Sequence, residues 1–172
     1  MRFAGPVSFV AVVVAANLAT TALGVVEWLG IAATAGTWLA GFAFVARDAT
    51  HDTLGRRWVI GCILAGAAIS AAFSPALALA SAVAFLLSEF ADYAVYAPLR
   101  ARGRMRAALT SNLVGSVVDS IIFLLIAGYP LALVWAQVGI KAATTTVFVL
   151  ALGGARALLR QPLYAAGGGR HA

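Results

Sequence analysis

Six long apolar runs, at 6–26, 30–46, 58–73, 76–98, 109–128 and 131–159, leave this chain almost no way to fold in water. Charge clusters separate them, or short breaks such as Ser74-Pro75 and Tyr129-Pro130. Hydrocarbon offers a backbone no hydrogen-bond partners, so a crossing segment must satisfy its own amides, and about 20 apolar helical residues do so across the ~30 Å core. Hydrophobic residues make up 63% of the 172 residues, charged residues 10%, and mean hydropathy is +0.97. The expectation is an all-α polytopic membrane protein. It has one six-helix transmembrane domain over 1–160 and a flexible tail over 161–172 that contains Gly167, Gly168 and Gly169. The second and third runs are short, and Trp28, Trp38, Trp58 and Phe73 stand where they can hold the ends at the interface.

The basic residues orient the spans. Arg2, then Arg47, Arg56 and Arg57, then Arg100, Arg102, Arg104 and Arg106, then Arg156, Arg160 and Arg170 all fall on one set of alternate connections, whereas the others carry only Glu27. The positive-inside rule therefore places both termini and the two basic connections in the cytoplasm. It also accounts for the net charge of +6 without nucleic acid, because the charges are spread over separate short loops and form no patch with interleaved aromatics. The run after Arg2 is longer than the roughly 7–15 residues of a secretory signal core, so it reads as a retained first span.

Several chemistries have no residues to carry them. Cys62 is alone, which leaves no disulfide or cysteine metal cluster within the chain, and His51 has no second His or Cys at ligand spacing. There is no Gly-x-x-x-x-Gly-Lys-Ser/Thr phosphate loop and no aspartate array of the phospholipid-transferase kind. No cofactor or metal is expected, and no catalytic residue.

What stands out is charge inside the apolar runs: Glu89, Asp92, Arg100, Asp119 and Lys141. A charge at the bilayer centre costs about 2.5–3.5 kcal/mol on insertion scales, so such residues face protein or a polar cavity. On the fourth helix Ala76, Ala80, Ala84, Ser88 and Asp92 recur every four residues, a small-residue ridge suited to an internal helix contact or to a homodimer. Glu89 shares a face with Asp92, and two carboxylates so placed suit proton transfer or a donor-rich ligand. Asp92 equally suits the cytoplasmic headgroups or a pair with Arg100 or Arg47. On the fifth helix Asn112, Ser116, Asp119 and Phe123 share a face, as do Gln137, Lys141, Thr144 and Phe148 on the sixth. At ~1.5 Å per residue Asp119 and Lys141 both lie about 14–15 Å below the same outer surface, and Asn17 falls level with them. Such a midplane layer is either a structural ion pair or a small-solute site, where transporters bind their substrates.

The runs Asp48…Asp52-Thr53-Leu54-Gly55-Arg56-Arg57, Leu87-Ser88-Glu89-Phe90-Ala91-Asp92-Tyr93…Leu99-Arg100, Ser111-Asn112…Asp119-Ser120-Ile121-Ile122-Phe123 and Gln137…Lys141 resemble the VUT family, the queuosine precursor transporters. The order and spacing cover helices two to six, with Asn17 matching a polar position in the first. The chain departs from the family in having Asp52 where Glu is common, and in shorter loops. The resemblance implies a bacterial inner-membrane importer of 7-cyano-7-deazaguanine and its aminomethyl relative, small deazapurine substrates. The expected substrate-binding residues are Asn17, Glu89, Asp92, Asn112, Asp119, Phe123, Gln137 and Lys141. Glu89 or Asp119 would accept from the donor edge of the deazaguanine. Lys141, Asn17, Asn112 and Gln137 would donate or orient, and Phe123, Phe148, Tyr93 or a tryptophan would stack. The alternative is a substrate-binding subunit of an energy-coupling-factor vitamin importer, for which Ala11 and Ala15 match an Ala-x-x-x-Ala docking pattern.

Overall fold

Glycines set the first boundaries of the fold, which is taken from a computed structural model that describes residues 3–99, 101 and 104–159. The first helix, α1 (Ala4–Leu23), stops where Gly24 takes a φ of 61°, its amide donating to the Thr20 carbonyl at 2.9 Å. An antiparallel pair follows, β1 (Val25–Trp28) and β2 (Ile31–Thr34), with Val25 opposite Thr34 and Trp28 opposite Ile31. Its two-residue turn, Leu29-Gly30, has positive φ at both positions, 55° and 76°, the pattern that matches the twist of paired strands.

This hairpin corrects the expectation of helix up to 26 and again from 30. β-Branched and aromatic residues at Val25, Val26, Trp28, Ile31 and Thr34 favour strand, and Gly24 and Gly30 punctuate the segment. Helix α2 (Thr37–Leu54) consequently starts later and runs on through the expected connection at 48–54. Nothing breaks it before Gly55, whose φ is 85°. Arg47 is thus no loop residue: it is helical and only 4% exposed.

Helix α3 (Arg56–Ser70) is followed by α4 (Pro75–Leu99), whose first turn is capped by the Ser74 hydroxyl accepting from the Leu77 amide at 3.3 Å. Helix α5 (Arg104–Ala127) ends at Gly128, φ 75°, with the Tyr129 amide closing onto the Leu124 carbonyl. A 3-10 turn, Leu131–Leu133, then leads into α6 (Val134–Leu159). Arg2, Arg100, Arg102, Arg160, Arg170 and the tail at 161–172 lie outside the described residues.

Among the described residues four segments are long and apolar enough to cross a membrane: α1, α4, 110–127 of α5, and 131–148, which joins the 3-10 turn to α6. Only 28–33% of each is buried inside the protein. Large apolar side chains such as Val7, Leu79, Leu125 and Trp135 point outward instead, which suits a hydrocarbon solvent and not water.

The core has two apolar parts. Phe9 and Val13 of α1, Ala43 and Phe44 of α2, Val59 and Ile63 of α3 and Phe85 of α4 form one, in which Phe85 meets Phe9 and Phe44 at ring distances of 5.7 and 5.8 Å. Leu124, Val134 and Val138 form the other between α5 and α6. The small-residue ridge packs inside the bundle, where Ala80, Ala84 and Ser88 have no exposed surface and Asp92 faces Gly115 of α5. Glycine also lets α2 approach its neighbours. A β-carbon on Gly36 would overlap the Ala16 carbonyl of α1, and one on Gly41 would overlap the Thr144 side chain of α6.

Candidate functional site

The hairpin end of the bundle is tied by polar side chains. Asn17 donates from its amide to the Ser70 hydroxyl at 3.1 Å and accepts from Ser81 at 2.7 Å, joining α1, α3 and α4. Thr20 accepts from the Gly36 amide at 2.9 Å. Gln137 of α6 donates to Thr34 at 3.1 Å, and Thr34 in turn shares a hydrogen bond of 2.8 Å with Thr37. One turn farther from this end, the Lys141 ammonium donates to Asp119 Oδ2 at 2.6 Å and to the Ser120 hydroxyl at 2.8 Å. All three residues are 5% exposed or less. An acid and a base so placed compensate each other's desolvation, and the hydroxyl adds a further acceptor for the ammonium.

These groups, Ser70 and Ser120 excepted, line one polar cavity of about 40 Å³, with Phe85 and Phe123 as its aromatic walls. That is room for about three waters, not for a bicyclic ligand. Phe123 stacks on Tyr129 at 6.4 Å, its ring held nearly parallel. The Gln137 carbonyl oxygen is buried without a partner, an acceptor left over in a wall that is otherwise satisfied.

Of the expected site residues, the cavity brings together Asn17, Asp119, Phe123, Gln137 and Lys141. Glu89, Asp92 and Asn112, expected among the same binding residues, do not line it. Glu89 Oε2 accepts from Arg47 Nη1 at 3.2 Å, while Arg47 Nη2 donates to Asp48 at 2.7 Å and to Asn112 at 3.2 Å. One buried guanidinium therefore joins α2, α4 and α5, using the planar fork that suits it to several acceptors at once. Asp92 Oδ1 is buried beside this cluster without a partner. Phe148 meets Phe42 edge-on at 5.2 Å, and the Tyr93 ring lies 5.2 Å from the Arg56 guanidinium, so neither ring lines the cavity.

Sequence reasoning passed over Thr20, Thr34, Thr37, Ser81 and Ser120. A signal existed for Thr20, three residues after Asn17 on the same face, and for Ser120, beside Asp119. None existed for Thr34, because the hairpin that carries it has the hydropathy of a helix, nor for Thr37, which opens α2 only because that hairpin ends at Thr34. For Arg47 the signal was the unbroken stretch to Gly55.

Apolar helices exposed on most of their surface and a charged, compensated polar cavity between them define a multi-pass membrane protein of the transporter class. Residues 70–154, which span α4, α5 and most of α6, match the family described as "putative vitamin uptake transporter", the VUT family. No curated protein and no solved structure matches the chain significantly.

Proposed function

We propose that the protein crosses the bacterial inner membrane six times, with both termini cytoplasmic, and imports queuosine precursors, chiefly 7-cyano-7-deazaguanine. The hairpin end then faces outward. The observation that carries this reading is the buried Lys141–Asp119 pair in the wall of a polar cavity that also holds Asn17, Gln137 and Phe123.

The chemistry of the pair fits the ligand. A deazaguanine edge presents adjacent N–H donors that a carboxylate accepts, and a carbonyl that an ammonium meets. In the structure Lys141 and Asp119 close on each other, so a ligand entering between them replaces one ion pair by two charge-assisted hydrogen bonds. The free carbonyl of Gln137 takes a further donor, and Phe123 offers a ring face. A 40 Å³ cavity has to widen for this, as expected of a site that opens to one side of a membrane at a time.

The test is uptake of 7-cyano-7-deazaguanine by cells lacking their own importer, with guanine as competitor. Asp119→Ala and Lys141→Ala are each expected to lose uptake per molecule of protein present in the membrane. Full transport by both variants overturns the reading. The vitamin-importer subunit has one observation in its favour, since Ala11 and Ala15 lie on the exposed face of α1 where a partner can dock. Transport without any ATPase partner excludes it.

A further inference from the structure

The side chains around the polar cavity sort by depth. Thr20 of α1 and Gln137 of α6 stand about one turn nearer the hairpin end than Asn17 and Lys141 on the same helices, and Thr34 and Thr37 join them from β2 and α2. All four are 1–3% exposed, so together they wall the cavity off on the hairpin side. The layer contains no charge. Hydrogen bonds hold it, from Gln137 to Thr34, between Thr34 and Thr37, and from the Gly36 amide to Thr20. Beyond it the hairpin stands open, with Val25, Trp28, Leu29 and Ile31 exposed.

This layer is fastened unequally. Toward α1 it is locked, because a β-carbon on Gly36 would overlap the Ala16 carbonyl and the Ala35 amide donates to the Gly24 carbonyl at 2.9 Å. Toward α6, among the described residues, a single hydrogen bond reaches across from the hairpin, that of Gln137 Nε2 to Thr34 Oγ1 at 3.1 Å. Farther from the hairpin α6 meets α2 closely, where Thr144 packs on Gly41 and the Thr145 hydroxyl donates to the Gly41 carbonyl at 3.1 Å. A close contact below and one neutral bond above is the arrangement of a pivot and a catch.

Resting on the importer reading above, we infer that the β1–β2 hairpin is the outer gate of the transport site and that the Gln137–Thr34 hydrogen bond is its latch. In the closed form seen in the structure the gate seals the cavity from the outer face. When the latch releases, the outer end of α6 turns away from the hairpin about the Gly41–Thr144 contact, and the Lys141–Asp119 pair is reached from outside. Neutral groups suit this task, since breaking their bond leaves no stranded charge in the membrane.

Buried Cys62 is the one native cysteine, so a single reporter thiol can be placed beneath the layer. Ser81→Cys in a Cys62→Ala background sets it in the cavity wall. A membrane-impermeant methanethiosulfonate reagent is then applied, with no solute present, to intact cells and separately to inside-out vesicles. Thiols react as thiolates, which form in water, so the rate reports access of water and reagent. Thr34→Val keeps the shape of the side chain and removes its hydroxyl. It is expected to speed labelling from outside about tenfold, the shift in an open–closed equilibrium that loss of about one hydrogen bond produces, and not to speed labelling from inside. Gln137→Met cuts the same bond from its other partner and should act alike. The two together should be no faster than either, because residues that act through one bond are not additive.

Unchanged labelling from outside in both single variants overturns the inference. Equal acceleration from both faces overturns it too, as the bundle is then loosened and no gate is opened. So do additive effects of the two substitutions, which place the residues in separate contacts. Because labelling uses no solute, it decides the gate even where the unmodified protein neither binds nor takes up 7-cyano-7-deazaguanine, a result that falls on the importer reading alone.

Discussion

Lys141 Nζ lies 2.6 Å from Asp119 Oδ2, with the two side chains 4% and 7% exposed, so α5 and α6 are joined by an ion pair that neither lipid nor water screens. Removing one partner of such a pair strands the other charge and costs about 3–5 kcal/mol, whereas replacing both by apolar side chains of similar volume is close to neutral. Asp119→Ala and Lys141→Ala should each lower the thermal unfolding temperature in detergent. The double variant Asp119→Leu with Lys141→Met, which strands no charge and keeps the volume filled, should recover most of that stability while remaining inactive in uptake. Equal instability of the double variant and the singles would count against the pair as the source of the effect.

Arg47 makes a corresponding prediction for the other end of the bundle. Its guanidinium reaches Glu89 and Asn112 from α2, and a lysine ammonium cannot occupy both directions at once. Arg47→Lys should reduce the amount of folded protein in the membrane. In Arg47→Met combined with Glu89→Gln, which leaves no stranded charge in that pair, recovery should exceed that in Arg47→Met alone. Size-exclusion profiles of the solubilised variants report the difference.

Gly41 is a packing prediction. An added β-carbon would fall onto the Thr144 side chain, so Gly41→Ala should force α2 from α6 at a cost of about 1–3 kcal/mol. Thr144→Ala in the same protein should restore only part of the loss, because the Lys141 carbonyl still stands 2.9 Å from the new carbon. Thermal unfolding of the three variants measures this.

Leu29 offers a gain. It is 82% exposed and holds a φ of 55°, a left-handed conformation that costs an ordinary side chain roughly 1–2 kcal/mol. Leu29→Asn installs the residue that this turn favours before Gly30, and should raise the unfolding temperature with uptake unchanged. An unaltered melting curve would show that the turn is not limiting.

Much of this arrangement was legible beforehand. The face shared by Asn112, Ser116, Asp119 and Phe123 follows from helical spacing alone, and the depth match of Asp119 with Lys141 follows from rise per residue. That Glu89 stands apart from the cavity was not legible, because spacing places a residue on a face of its own helix and does not say which neighbour that face meets. Glu89 turns to Arg47 instead. Arg47 itself obeyed the positive-inside pattern as a loop residue would, and only the continuation of α2 to Leu54 draws it into the bundle.

The amino-acid order by itself determined the solvent, the helical class and the charged residues that lipid cannot accommodate, since each follows from local hydropathy and the need of a backbone to satisfy itself. Tertiary structure alone decided how those charges pair. Whether Lys141 closes on Asp119 and whether Arg47 takes Glu89 depend on how the helices rotate and how closely they approach. Those are set by long-range contacts such as Gly36 on Ala16 and Gly41 on Thr144, which no local pattern encodes.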